Sequence, residues 1–180
     1  MNLTLVTGNK HKLDEWKRLL PDSYTLRSAE IELDEIQSLD PLVVVADKAR
    51  RAYKILNEPV LVEDIAAGID SLGGLPGTFI KFFIQVLGED ALRKLAKKEN
   101  EKASVSCVIA YFDGTSMITV KGRVDGMVVS AKGENGFGFD KGFIPDGQTK
   151  TYGEMTYEEK DKLSHRSKAI KELVVNIGQI

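Results

Sequence analysis

Two acids stand at the end of an apolar run in Val60-Leu61-Val62-Glu63-Asp64. Carboxylates that close a buried strand need a cation or an ionic partner to stay charged, and a divalent ion such as Mg2+ meets that need. Neighbouring strand residues face opposite ways, so one of the pair is expected to enter a site, and Asp64 is the choice. Glu35, in Leu33-Asp34-Glu35-Ile36-Gln37, is a candidate second acid, with a solvated loop glutamate as the competing reading. Hard cations that serve phosphates take one or two protein carboxylates and fill the rest of their shell with water and substrate oxygens.

Phosphate has its own candidate stretch, Thr7-Gly8-Asn9-Lys10-His11-Lys12. It follows a short β run and opens a helical pattern, so it offers free backbone N–H groups, the positive end of a helix dipole and two lysines. A plain turn with solvated lysines accounts for the same residues. The stretch is no Walker-type loop, because the second glycine and the Gly-Lys-Ser/Thr ending are absent.

A planar ring has a third. Phe137-Gly138-Phe139-Asp140-Lys141-Gly142-Phe143 gathers three of the chain's seven phenylalanines between glycines. Alternating core aromatics with bends explain it; so does a ligand platform, where glycine admits a ring, an aromatic stacks on it and Asp140 accepts from its N–H edge. Downstream, Lys160 and Ser164 lie one helical turn apart, followed directly by His165 and Arg166. These donors form either a base-reading edge or a solvated face.

The elements that position these residues follow from periodicity. A strand ending at Val6 turns through Gly8-Asn9 into a helix with Leu13, Trp16 and Leu20 inward. Asp40 and Pro41 start a second helix with an apolar face of Leu42, Val45, Ala46, Ala49, Tyr53 and Leu56. The strand Glu58–Asp64 is expected to end at its two acids. After the Gly73–Gly77 loop, Thr78 is expected to cap a helix carrying Phe79, Phe82, Phe83 and Val86, and a short helix is expected near Asp90–Lys98. Ser104–Phe112 and Met117–Val129 read as a hairpin across Asp113-Gly114-Thr115-Ser116. Thr156 with Glu159 forms a capping box for a last helix carrying Leu163, Ile170, Leu173 and Val174 inward. Early βα units followed by hairpins predict an α/β fold with a long, twisted, mixed sheet flanked by helices.

Length and composition narrow the function classes. A chain of 180 residues suits a single domain spanning 1–180, able to bury roughly 70% of its unfolded surface. It is 42% hydrophobic and 29% charged with a formal charge of −2, without the basic excess of a nucleic-acid binder. No apolar stretch approaches the ~20 residues of a membrane helix, and no signal-like N-terminus is present, so a cytoplasmic protein is expected. The one cysteine, Cys107, lies in an apolar run and reads as a buried strand residue.

Taken together, the stretches Val6–Lys12, Val62–Asp64, Leu72–Gly77, Phe137–Asp140 with Phe143–Gly147, Tyr152–Met155 and Glu159–Arg166 resemble the inosine triphosphate pyrophosphatase family in order and spacing, from about Leu3 to Lys171. The resemblance implies two lobes with a central nucleotide-binding cleft, usually in a homodimer, and Mg2+-dependent hydrolysis of non-standard purine nucleoside triphosphates (ITP, dITP, XTP) to the monophosphate and pyrophosphate. It implies that Thr7, Gly8, Asn9, Lys10, His11 and Lys12 hold the triphosphate, that Lys12 also serves catalysis, and that Asp64 is metal ligand and proton acceptor with Glu35 as the further metal ligand. It implies that Phe137, Gly138, Phe139, Asp140, Lys160, His165 and Arg166 bind the base, and that Ile65 lines the substrate site. The chain departs from the family where Ile65 replaces a common Ser or Thr and Lys141 a common Pro. Related readings are a nucleotide-binding protein without turnover and a pyrophosphatase of other modified nucleotides.

Overall fold

The computed structural model describes residues 1–178. Its sheet has strand order β2-β1-β3-β5-β6-β7, with β4 pairing β3. In sequence these are β1 (Asn2–Val6), β2 (Thr25–Ala29), β3 (Val60–Ile69), β4 (Pro76–Gly77), β5 (Glu101–Phe112), β6 (Met117–Val128) and β7 (Phe143–Pro145). The helices are α1 (Lys10–Leu19), α2 (Pro41–Leu56), α3 (Ile80–Leu87), α4 (Ala91–Leu95), α5 (Tyr157–Leu163) and α6 (His165–Ile177). β1 runs parallel to β2 and β3, while β4 is antiparallel to β3 and β7 to β6, so the sheet is mixed, as the βα-then-hairpin order predicts.

The chain forms two compact units, the first built from 1–64, 107–122 and the segment from Arg166 onward, the second from 65–106 and 123–165. In the first unit α1 connects β1 to β2 and α2 connects β2 to β3. Val45, Ala49 and Ala52 of α2 pack on Val6, Val60, Val62, Val108 and Ala110. Pro at the first position and the Asp40 side chain accepting from Leu42 N–H start α2, and Asn57 in the left-handed region ends it. Leu42, expected on the inner face, is exposed, in the first turn of α2 and ahead of the buried Val45 and Ala49.

In the second unit Ile69, Ile80, Leu92, Val105, Val128, Phe139, Phe143, Tyr152 and Met155 share one core. Three expectations change here. β3 runs on five residues past its acids to Ile69, because Ala67 and Ile69 continue the buried face and Ala67 and Gly68 pair with β4. Phe79, not Thr78, precedes α3, which has no side-chain cap, and Phe82 and Val86 are exposed while Phe83 and Ile84 pack inward. The last helix is two helices: the Thr156–Glu159 capping box opens α5, but Ser164 adopts extended backbone and α6 restarts at His165. The strands β2, β4 and β7 are additional; the first is largely exposed and the others are two and three residues long, so none carries a buried alternation to read.

Candidate active site

The phosphate-type stretch lies at the carboxyl end of β1, where open α/β sheets place their ligands. Thr7 N–H is tied to Ala29 O at 3.0 Å, and Thr7 Oγ1 accepts from Asn9 N–H at 3.1 Å. Asn9 is the N-cap of α1, its side chain accepting from Lys12 N–H at 3.2 Å. The loop is thus pinned by its own short side chains, and the first turn of α1 presents the positive helix end. A Cβ at Gly8 would lie 2.7 Å from Glu30 Oε1, so the loop and Glu30 are closely apposed. Lys10 and His11 are exposed; Lys12 is half-buried.

β1 and β3 are paired in parallel with Leu5 opposite Leu61, a register that brings Glu63 and Asp64 to the level of Thr7 and Gly8. The two acids meet different surroundings, as adjacent strand residues must. Glu63 is buried and receives Arg166 Nη2 on Oε1 at 2.8 Å, Arg166 Nε on Oε2 at 3.0 Å, the Trp16 indole N–H on Oε2 at 2.7 Å, and Lys12 Nζ near Oε1 at 3.1 Å. Burial alone would raise its carboxyl, but Arg166 and Lys12 outweigh that and hold it well below the usual carboxylate range. Arg166 also donates to Glu15, and despite its burial these acids keep it firmly charged. Cys107, with Sγ 3.8 Å from Glu63 Oε2, is pushed well up by burial and by that carboxylate, which leaves it a thiol of the core, as its apolar run predicts.

Asp64 is half-buried, and its Oδ2 is buried with no hydrogen-bond partner among the described residues. Burial pushes the carboxyl up to about 6; Lys48 and Lys12 act in the opposite direction, and Glu35 and Glu63 add to the rise. Glu35 is in turn ion-paired with Lys48. Glu35, Asp64, Lys12 and Lys48 therefore form one electrostatic group in the first unit. No group of three or more His, Cys, Asp and Glu arranged to hold a metal ion is present among the described residues. The two carboxylates are nevertheless the kind of donor set a hard cation bound to phosphate requires, and the orphaned Oδ2 is the atom that a cation would satisfy.

In the second unit, Phe137–Asp140 forms a tight turn with Gly138 at φ +69°. Asp140 is buried and its Oδ2 accepts from Phe137 N–H at 2.8 Å and from Lys160 Nζ at 2.6 Å. Gly136, at φ +77°, admits this carboxylate, since a Cβ there would lie 2.4 Å from Oδ2. Phe139 and Phe143 are core residues, whereas Phe137 is half-buried with Lys160 Nζ 5.3 Å from its ring centroid. His165 is buried beside Phe139 and Tyr152, with ring centroids at 5.8 and 6.1 Å. Lys160 and His165 thus join the aromatic turn, while Arg166 joins Glu63 and Glu15 in the first unit. Ile65 packs on the second unit's core.

Four residues take parts that no local motif announces. Lys48 reads in sequence as one more polar position on α2. Glu15 and Trp16 follow Lys12 by three and four residues on α1, a spacing that places them on one helix face and is the available signal. Glu63 is one of two acids visible in sequence, with a set of partners that only the structure supplies.

Residues 3–176 match the model of the Ham1 family. The chain is 42% identical over 183 aligned residues to the inosine triphosphate pyrophosphatase of Yarrowia lipolytica, covering 99% of this chain and 97% of that protein. It is 38% identical to the inosine triphosphate pyrophosphatase of Schizosaccharomyces pombe, covering 96% and 93%. Among solved structures, a HAM1 protein from Coxiella burnetii superposes with a TM-score of 0.83 at 25% identity over 100% of both chains. The nucleoside-triphosphatase, or dITP/XTP pyrophosphatase, of Mycobacterium abscessus superposes at 0.72 with 28% identity, covering 96% of this chain and 98% of that one. The pyrophosphatases of this family are in general metal-dependent. This chain belongs to the Ham1 family, whose members hydrolyse non-standard purine nucleoside triphosphates.

Proposed function

We propose that this chain is a Mg2+-dependent pyrophosphatase that converts ITP, dITP and XTP to the nucleoside monophosphate and pyrophosphate, cleansing the nucleotide pool. The observation that carries the reading is Asp64: a carboxylate with a buried, unsatisfied oxygen, beside Glu35 and under the charges of Lys12 and Lys48. Glu35 and Asp64 are the residues that would hold the cation, which supplies Lewis-acid charge at the phosphate and eases ionisation of water. Thr7 to Lys12 bind the triphosphate through the loop amides and Lys12, and Lys48 adds a second cation from α2. A water oxygen attacks the α-phosphorus, the bond to the α–β bridging oxygen breaks, and pyrophosphate leaves. Asp64 accepts the proton that the water gives up. Lys12 and Lys48 balance the charge that moves onto the leaving group.

Base choice falls to the aromatic turn. Phe137 offers a ring face, and Gly138 lets a purine approach it. Lys160 and His165 present donors, which satisfy the 6-oxo group of hypoxanthine or xanthine but would meet the 6-amino group of adenine donor against donor, whereas Arg166 is engaged by Glu63 and Glu15. Guanine carries the same 6-oxo group, so this contrast separates ITP and XTP from ATP alone. Ile65 lines the substrate site without a hydroxyl.

Both units belong to one functional domain on this reading, supported by the strands β3, β5 and β6, which the two units share. A homodimer in the cytoplasm completes the proposal. No helix among the described residues is long and apolar enough to cross a membrane, and exposed Phe82 and Val86 on α3 offer an apolar contact.

The test is pyrophosphate release from ITP, XTP, GTP and ATP with Mg2+, beside an EDTA control and Asp64→Asn. Metal-dependent release from ITP and XTP, absent from ATP and from the variant, is the expected result. Full activity of Asp64→Asn would remove Asp64 from the chemistry, and release only from other modified nucleotides would change the substrate class.

A further inference from the structure

The partners of Glu63 are unusual in what they combine. Oε1 meets Arg166 Nη2 at 2.8 Å and Lys12 Nζ at 3.1 Å; Oε2 accepts from Arg166 Nε at 3.0 Å and from the Trp16 indole at 2.7 Å. The Arg166 fork thus grips both oxygens, a pairing that sets orientation as well as distance. Glu15 takes the third Arg166 contact, so two cations and two carboxylates balance one another inside the first unit. Trp16 is fully buried, so its N–H is held firmly in place.

We propose that Glu63 is the positioning residue of the phosphate-binding machinery: one buried carboxylate seats Lys12 and Arg166 together, and the Trp16 indole fixes its orientation. The inference rests on the reading of Lys12 as a triphosphate ligand given above. A lysine side chain has many rotamers, and a triphosphate gains from Lys12 only if the ammonium waits where the phosphate arrives. Glu63 supplies that restraint from one face of β3, while Asp64 works from the other. The strand therefore carries at consecutive positions the group that aims the cation and the group that takes the proton. A buried ion network is no efficient way to stabilise a core, since apolar residues of the same volume commonly do as well, which favours an organising role for this one.

The experiment is Glu63→Gln, which keeps volume and removes the charge. Calorimetry with inorganic tripolyphosphate reads phosphate affinity without turnover, steady-state kinetics with ITP reads KM against kcat, and circular dichroism reads folding. We expect tripolyphosphate affinity to fall and KM to rise about tenfold, in keeping with one misplaced charged contact, with a smaller change in kcat. In a Lys12→Ala background the same substitution should change affinity by less than about twofold, because neighbours in one network are not additive. Wild-type affinity in folded Glu63→Gln, or an equal loss in both backgrounds, overturns the proposal. Should Glu63→Gln not fold, Trp16→Phe keeps every charge and removes only the orienting donor. A loss of about threefold is then expected, and wild-type affinity in that variant overturns the proposal. Wild-type protein that binds tripolyphosphate but releases no pyrophosphate from ITP defeats the pyrophosphatase reading, while the calorimetric comparison still decides the role of Glu63.

Discussion

Lys160 Nζ lies 2.6 Å from Asp140 Oδ2, and both side chains are only 3% exposed. The same oxygen accepts from Phe137 N–H, so a single carboxylate holds the aromatic turn to helix α5. Asp140→Asn should therefore loosen the turn and leave a buried ammonium without its counter-charge. Breaking one partner of a buried pair costs about 3–5 kcal/mol. A thermal melt should show that loss, and KM for ITP should rise more than kcat falls.

Asp64→Asn should behave in the opposite way on stability. One oxygen of its half-buried carboxyl is buried and unsatisfied, so ionising it costs the fold something that the amide does not incur. Urea denaturation at pH 7 with EDTA is expected to find the variant at least as stable as the wild type while pyrophosphate release from ITP is abolished. A variant both unfolded and inactive would be explained by a structural role instead.

The two neighbouring acids should give opposite pH signatures. The folded value of Asp64 is raised from 3.8 to about 6, so the folded state binds its proton more tightly than the unfolded chain does. Its destabilising contribution is absent below the unfolded value, grows between the two, and is constant above about 6. Glu63 is lowered from 4.5, so its stabilising contribution is present above that value and is lost only in strong acid, as pH falls through its folded value. Metal-free unfolding from pH 4 to 7.5 should therefore find the stability of Asp64→Asn relative to wild type increasing with pH up to about 6 and level beyond it.

Gly68 is the one glycine of β3. A Cβ there would lie 1.9 Å from the Gly74 carbonyl oxygen, a backbone atom that a rotamer change does not relieve. Gly68→Ala should push the Gly73–Gly77 loop away from β3 and cost at least the ~1–3 kcal/mol typical of an overpacked site. A lowered melting temperature with faster proteolysis at the loop is the expected result, and an unshifted melt would contradict the close packing.

Much of this protein is legible in one dimension because local physics writes it there. Val6 into Gly8-Asn9 into a helix, the Asp40-Pro41 start of α2 and the Thr156–Glu159 capping box each satisfy their own backbone groups within a few residues. The loop at Thr7–Lys12, the acids at Glu63 and Asp64 and the turn at Phe137–Asp140 are likewise visible as residue types in sequence. Chain-distant partnership decided the rest. The end of β3 depends on its pairing with β4, and the break at Ser164 starts α6 with two neighbours that part company: His165 lies beside Phe139 and Tyr152, while Arg166 reaches Glu63 across 103 positions of sequence. Lys48 became part of the site only when α2 set it against Glu35 and Asp64, because an electrostatic field depends on distance in space and not on spacing along the chain.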